Sequence, residues 1–236
     1  EMLSLLCEGH NVQMQDYLRD PREGQDSAVE AVDLVIEVHD LLVQLEPSLD
    51  ESNVEQAILC IDCLTEFVQG NTSLGNMASL IESKASDAME RLVCRQRFEG
   101  VPADAVSRLR TSVSTWFLAM LEGEGTVAEE RFLRTLDLER LSAVAATAYM
   151  AGSTAPSAAA GDADDAAESR ERAMAAGYSL STLIKHLHDY EEHAAFVPRA
   201  GSHGGSVVTS RSLGAFDAEG DAVTAAAKRA MAGAIG

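Results

Sequence analysis

Apolar residues recur three and four positions apart along most of this chain, the spacing that lines one face of an α-helix. Met2, Leu5, Leu6, Val12, Met14, Tyr17 and Leu18 predict a first helix, interrupted near Gly9 and ended by Asp20-Pro21. Ser27, with Glu30 three residues on, reads as a capping box for a second helix. Its apolar side is Val32, Val35, Ile36, Val38, Leu41, Leu42 and Leu45, and Glu46-Pro47 stops it. Asn53 is the expected cap of a third helix running to about Gln69, with Ile58, Leu59, Ile61, Leu64, Phe67 and Val68 as a broad apolar surface. Gly70-Asn71 is its stop. Shorter helices follow over 77–81 and 85–97. Pro102 opens a longer one through Val106, Leu109, Val113, Trp116, Phe117, Met120 and Leu121, closed by Gly123 and Gly125. Two more cover 127–136 and 138–150.

Residues 151–170 then change character. They are mostly Ala, Gly, Ser, Asp and Glu with no large apolar side chain, which predicts a disordered linker. An amphipathic helix is expected over 173–195, with Leu180, Leu183, Ile184, Leu187 and Tyr190 near its apolar side. Residues 198–212 are rich in Gly and Ser, and the alanine-rich end from Asp217 is a possible helix. Strand-like alternation is absent apart from Val207-Val208. The expected class is all-α, either an armadillo-like helical solenoid or an irregular helical bundle, with flexible Ala/Gly/Ser-rich linkers toward the C-terminus. No fixed repeat length decides between the two. Few aromatics (5%) and only five prolines agree with long helices packed from aliphatic side chains.

Charge narrows the function. The chain carries 18 Lys and Arg against 38 Asp and Glu, a net charge of −20, and no Lys or Arg lies between Arg22 and Lys84. Such a surface repels phosphate backbones, so nucleic acid is excluded as a partner. It attracts cations or a basic protein surface. No apolar run approaches the roughly 20 residues that span a bilayer, so no direct membrane insertion is expected of this segment. The opening Glu1-Met2 lacks a signal-peptide pattern and reads as part of a longer chain.

Catalytic signatures are missing: there is no phosphate-cradling glycine loop followed by Lys, no H-E-x-x-H and no G-x-S-x-G. The expectation is no enzyme. Cys60-Ile-Asp-Cys63 has C-x-x-C spacing, but it falls inside a helical apolar pattern without a second ligand pair, so buried thiols are the better reading. His186 and His193 lie two turns apart on the late helix, with His188 on another face. No EF-hand loop is present.

Carboxylates remain. Glu8 sits at the Gly9 break and Glu66 near the end of the third helix. If those helices pack side by side, two acids without a basic partner meet, an arrangement that a cation relieves. Calcium suits hard oxygen ligands but takes 6–8 of them, more than two glutamates supply.

Leu5-Leu6-Cys7-Glu8-Gly9-His10-Asn11, followed by Gln15 and Tyr17-Leu18-Arg19, resembles the opening of the homology-associated helical domain shared by inositol-trisphosphate and ryanodine receptors. Leu64-Thr65-Glu66-Phe67-Val68-Gln69-Gly70 resembles its second hallmark, though Asn71-Thr72 stand where the family commonly has Pro-Cys. Leu118-Ala119-Met120-Leu121-Glu122, and later Ala148-Tyr149-Met150 and 183–187, resemble the inositol-trisphosphate branch.

The resemblance implies that Glu8 and Glu66 are ligands of the activating Ca2+, with His10 and Gln69 as supporting groups and a further oxygen from the pore's cytosolic tail. It implies a regulatory and coupling segment of a homotetrameric calcium-release channel, at the cytosolic face of an intracellular calcium store (endoplasmic reticulum or acidic store). The partners would be the remainder of the same polypeptide. Residues 1–150 would form the homology-associated domain, 151–170 a linker, 171–197 an added helix and 198–236 a flexible end. Without the resemblance, an α-solenoid scaffold that binds a basic protein partner is the alternative.

Overall fold

The computed structural model describes residues 2–21, 32–71, 74–95, 97–122, 127–154 and 163–196. Among them the only regular elements are helices, as the apolar spacing predicts. In order they are α1 (Met2–Cys7), α2 (Val12–Arg19), α3 (Leu34–Leu45), the 3₁₀ turn η1 (Glu46–Ser48), α4 (Val54–Val68), α5 (Gly75–Glu82), α6 (Ala85–Val93), α7 (Ala103–Met120), α8 (Val127–Thr135), α9 (Leu138–Thr154) and α10 (Ala163–Phe196).

α4 is the hub. It packs chiefly on α7 and α3, and also meets α1, α2 and α5. Its sequence explains this position: ten of its residues are buried, among them Ile61, Leu64 and Phe67, which are fully so. Exposed acids Glu55 and Asp62 mark its narrow outer edge. Arg108 of α7 pairs with Glu55 at that edge. Below it, Trp116 and Phe117 of α7 and Phe132 of α8 form an aromatic knot. Phe117 meets Phe132 edge-on at 5.0 Å between ring centroids, and Trp116 meets Phe117 at 5.1 Å. Such pairs add about 0.5–1.5 kcal/mol to the burial of their area.

Several helix limits differ from the sequence expectation, each for a local reason. α3 begins at Leu34, capped by Asp33, whose carboxylate accepts from the N–H groups of Val35 and Ile36. Val32, expected inside the helix, precedes it; the expected capping box of Ser27 and Glu30 lies outside the described residues. Asn53 does precede α4, but its side chain turns backward. Its Oδ1 accepts from Asp50 N–H and its Nδ2 donates to Ser48 O, so it braces the preceding turn and leaves the first turn of α4 without a side-chain cap. α6 stops at Val93, four residues before the expected end. Its last carbonyls are taken by the Cys94 and Arg95 N–H groups.

α9 continues through 151–154 and α10 starts at Ala163, so those parts of the expected linker are helical. Ala and Glu are strong helix formers, and their local preference replaces the missing large apolar residues. Small residues also let the two helices touch. A Cβ on Gly177 would lie 2.8 Å from Ala145 O, and one on Gly152 would lie 2.6 Å from Arg170 O. α9 and α10 therefore run antiparallel in backbone contact. Gly123, Gly125, Val207-Val208 and the expected end helix from Asp217 lie outside the described residues. No helix among the described residues is long and apolar enough to cross a membrane.

Phe132 is fully buried in the aromatic knot. Phe132→Ala should lower unfolding free energy by about 3–5 kcal/mol, read as a fall in the urea midpoint at unchanged slope. A loss below about 1 kcal/mol would show that the knot is peripheral.

Candidate functional site

The two sequence hallmarks dock on one another. Between α1 and α2 the chain reverses through Gly9 (φ +74°) and His10 (φ +60°). Glycine adopts this left-handed conformation freely, whereas His10 does so at a cost of about 1–3 kcal/mol, sustained only where the surroundings fix it. Asn11 then caps α2, its Oδ1 accepting from Met14 N–H at 3.2 Å. The turn is held against the C-terminal end of α4. His10 Nδ1 donates to Gln69 O at 3.2 Å. Gly70, at φ +66°, receives the imidazole so closely that a Cβ there would lie 2.8 Å from Nδ1.

A helix end leaves its last carbonyls without partners, and buried ones must find them. Here the accounting is complete. Thr65 O accepts from Gln69 N–H at 2.9 Å, and Val68 O from Asn71 N–H at 3.1 Å. Glu66 O accepts from Gln15 Nε2 at 2.6 Å, and Gln69 O accepts from the same nitrogen at 3.0 Å. Phe67 O accepts from Asn76 Nδ2 at 2.8 Å, which also reaches Gln15 O at 3.0 Å. Gln15 and Asn76 are fully buried. One amide from α2 and one from α5 thus stitch three helices around the last turn of α4.

This frame fixes where the predicted residues stand. Glu8 is exposed, in the turn between Cys7 and His10. Glu66 is half-buried in the last turn of α4. Cys7 lies within the field of Glu66. Burial first, and the Glu66 charge second, push the Cys7 thiol up to about 11. Burial likewise raises Cys63 to about 12, with Cys7, Cys60 and Glu66 adding to it. All four cysteines are free and buried. His10 does not offer Nδ1 to an ion in this arrangement, because that nitrogen serves Gln69 O. Gln69 acts through its main-chain carbonyl. Gln15 and Asn76 carry no periodicity signal of their own, and Asn76 was invisible in the sequence.

Both acids stand at negative helix ends. Glu8 follows the C-terminal end of α1 and Glu66 lies at that of α4, where the backbone dipole is negative. Neither helix has a basic residue in its last turn. Among the described residues neither carboxylate has a hydrogen bond or an ion pair, although Glu66 is half-buried. Among the described residues, no group of three or more His, Cys, Asp or Glu is placed to hold a metal ion. The late histidines are engaged separately, His186 near Glu129 at 3.9 Å, His188 near Glu191 and His193 with Asp189 O.

Residues 1–93 match the family model described as RyR and IP3R Homology associated. The match covers both hallmark motifs and the whole α4 frame, and it supports a relation to the ryanodine and inositol-trisphosphate receptor channels over that part of the chain. It does not separate the two branches. No curated protein matches the chain.

Gln15→Met keeps the volume but removes the donor shared by Glu66 O and Gln69 O. It should destabilise the chain by about 1–3 kcal/mol in urea titration, the usual cost of stranding buried acceptors. A change under about 0.5 kcal/mol would mean that water replaces the amide freely.

The buried thiols give a pH dependence. Their folded values are raised above the ordinary 9.0, so their contribution is whole below about pH 9 and declines as pH rises toward 11–12. Urea midpoints should therefore fall from pH 8 to pH 10. At pH 8 an aromatic disulfide reagent should label the cysteines only after unfolding. Fast native labelling of Cys7 or Cys63 would contradict their burial.

Proposed function

We propose that this chain is a cytosolic regulatory and coupling segment of an intracellular calcium-release channel, a module of the channel and not an enzyme. The observation that carries the reading is the docking of Leu6-Cys7-Glu8-Gly9-His10-Asn11 on the last turn of α4, which leaves Glu8 and Glu66 without cationic partners among the described residues. In this reading Glu8 and Glu66 supply carboxylate oxygens to an activating Ca2+. His10 and Gln69 support them, since the His10–Gln69 bond sets the distance between the two motifs. Calcium needs 6–8 oxygens, so the remaining ligands come from water and from another part of the channel, the pore's cytosolic tail.

The mechanism is a change in populations. A calcium ion held between this helical frame and the pore's tail favours the conformation in which both halves meet. Its effect on gating equals its difference in affinity between the open and closed arrangements, typically about 1–3 kcal/mol. A frame whose helix end is fully hydrogen-bonded transmits that difference with little loss, because Glu66 cannot shift without breaking buried bonds from α2 and α5. The full channel is read as a homotetramer in an intracellular store membrane. The run Leu118-Ala119-Met120-Leu121-Glu122 supports the inositol-trisphosphate branch.

Glu66→Ala in the full channel tests this. Calcium activation should shift to at least about ten-fold higher calcium, equivalent to about 1.4 kcal/mol. The thermal melt of the chain should stay within a few degrees, since the Glu66 carboxylate makes no described contact. Unchanged calcium sensitivity would refute the assignment.

A further inference from the structure

Three of the chain's arginines gather around one surface depression. A cavity of about 380 Å³ is lined by Glu46, Pro47, Arg91, Arg95 and Arg140. These residues come from η1, the end of α6 and the first turn of α9, three places distant in sequence. Three guanidinium groups converge there in a chain with more than twice as many acids as bases.

Part of this cluster is structural. Arg91 grips the Glu46 carboxylate through Nε and Nη2, at 2.7 Å for the shorter contact. Arg95 Nη1 donates to Glu46 O at 2.8 Å, and its Nε donates to Arg97 O. Arg140 Nη2 donates to Cys94 O at 3.2 Å. These contacts use a minority of the donors, because each guanidinium carries five N–H bonds. Arg95 and Arg140 have no carboxylate partner among the described residues. Three acids stand nearby: Glu46 pairs with Arg91, while Glu90 Oε1 accepts from Asp137 N–H and Asp137 Oδ1 from Arg140 N–H, and both keep their charge. Arg95 also lies over the Phe98 ring at 5.7 Å, with Arg110 over the same ring at 5.8 Å and without a described hydrogen bond.

The geometry points to a second ligand site, in which Arg91, Arg95 and Arg140 bind the phosphoryl groups of a small polyphosphate. Three forks around one cavity match the several oxygens of a phosphoryl group better than a single carboxylate, and Arg presents paired donors that Lys lacks. The open depression is large enough to admit a small ligand. Glu46 keeps Arg91 oriented, while Arg95 and Arg140 supply guanidinium N–H donors that no carboxylate takes among the described residues. The ligand would bridge η1, α6 and α9 at the surface, above the core that Leu92, Cys94 and Leu141 share. The site is independent of the calcium reading: it shares no residue with Glu8, His10, Glu66 or Gln69.

Isothermal titration of the 236-residue chain with sodium pyrophosphate, at physiological salt and without magnesium, tests the site. Saturable binding with a dissociation constant of about 1 mM or tighter is expected. Arg140→Ala should weaken it by at least about ten-fold, and Arg140→Lys should restore only part of the loss. Arg140 is exposed, so its replacement leaves the core intact, and an unchanged melting temperature will verify that. Arg95→Lys gives a second variant in which the charge stays and the fork is lost, and it should also weaken binding. No saturable binding up to about 10 mM, equal binding by Arg140→Ala, or equal competition by sulfate would each overturn the proposal.

Discussion

Everything near the candidate site depends on how the C-terminal end of α4 is satisfied. A helix that ends inside a protein exposes carbonyl oxygens that water cannot reach. Here each finds a donor, two from the following backbone and the rest from Gln15, Asn76 and His10. Gln15 and Asn76 are themselves linked, since Asn76 Nδ2 also bonds Gln15 O. Losing the Gln15 or the Asn76 donor strands the Glu66 or the Phe67 carbonyl, so α2, α4 and α5 hold position together.

The same construction explains the electrostatics of the site. Neutral amides and an imidazole close the helix end, where a Lys or Arg would have served equally well and would also have offset the dipole. Among the described residues no basic side chain therefore offsets the negative end of α4, Glu66 in its last turn or Glu8 in the turn after α1. Stability at this helix end comes from neutral hydrogen bonds and not from ion pairs. The construction also explains why Gly70 must be glycine: its φ is positive and the His10 ring occupies the space of a side chain.

The fold was legible because its signals are periodic. The apolar spacing located α1 through α9 closely, and the Gly9 break and the Gly70 stop were visible as glycines between apolar runs. Limits failed where competing local bonds won. Asp33 took the cap expected of Ser27 because it stands directly before the first helical residue. Asn53 found better partners behind it than ahead. In 151–170 the absence of large apolar residues pointed to disorder, yet Ala-rich sequence forms helices at 151–154 and 163–170, and small residues are what a close α9–α10 contact requires. Glu8 and Glu66 emerged through the motif resemblance. Their frame did not emerge, because Gln15 and Asn76 work by tertiary contacts 9 to 61 residues apart in sequence, which no helical periodicity encodes.

The half-site itself is tested most directly by an amide-resolved calcium titration of the chain in NMR. Weak, saturable shifts in the millimolar range, confined to residues 7–11 and 65–70 and lost in Glu66→Ala, are expected of two carboxylates that offer an incomplete shell. Shifts spread over the acidic surface with none at Glu8 or Glu66, or a response that survives Glu66→Ala unchanged, would contradict it.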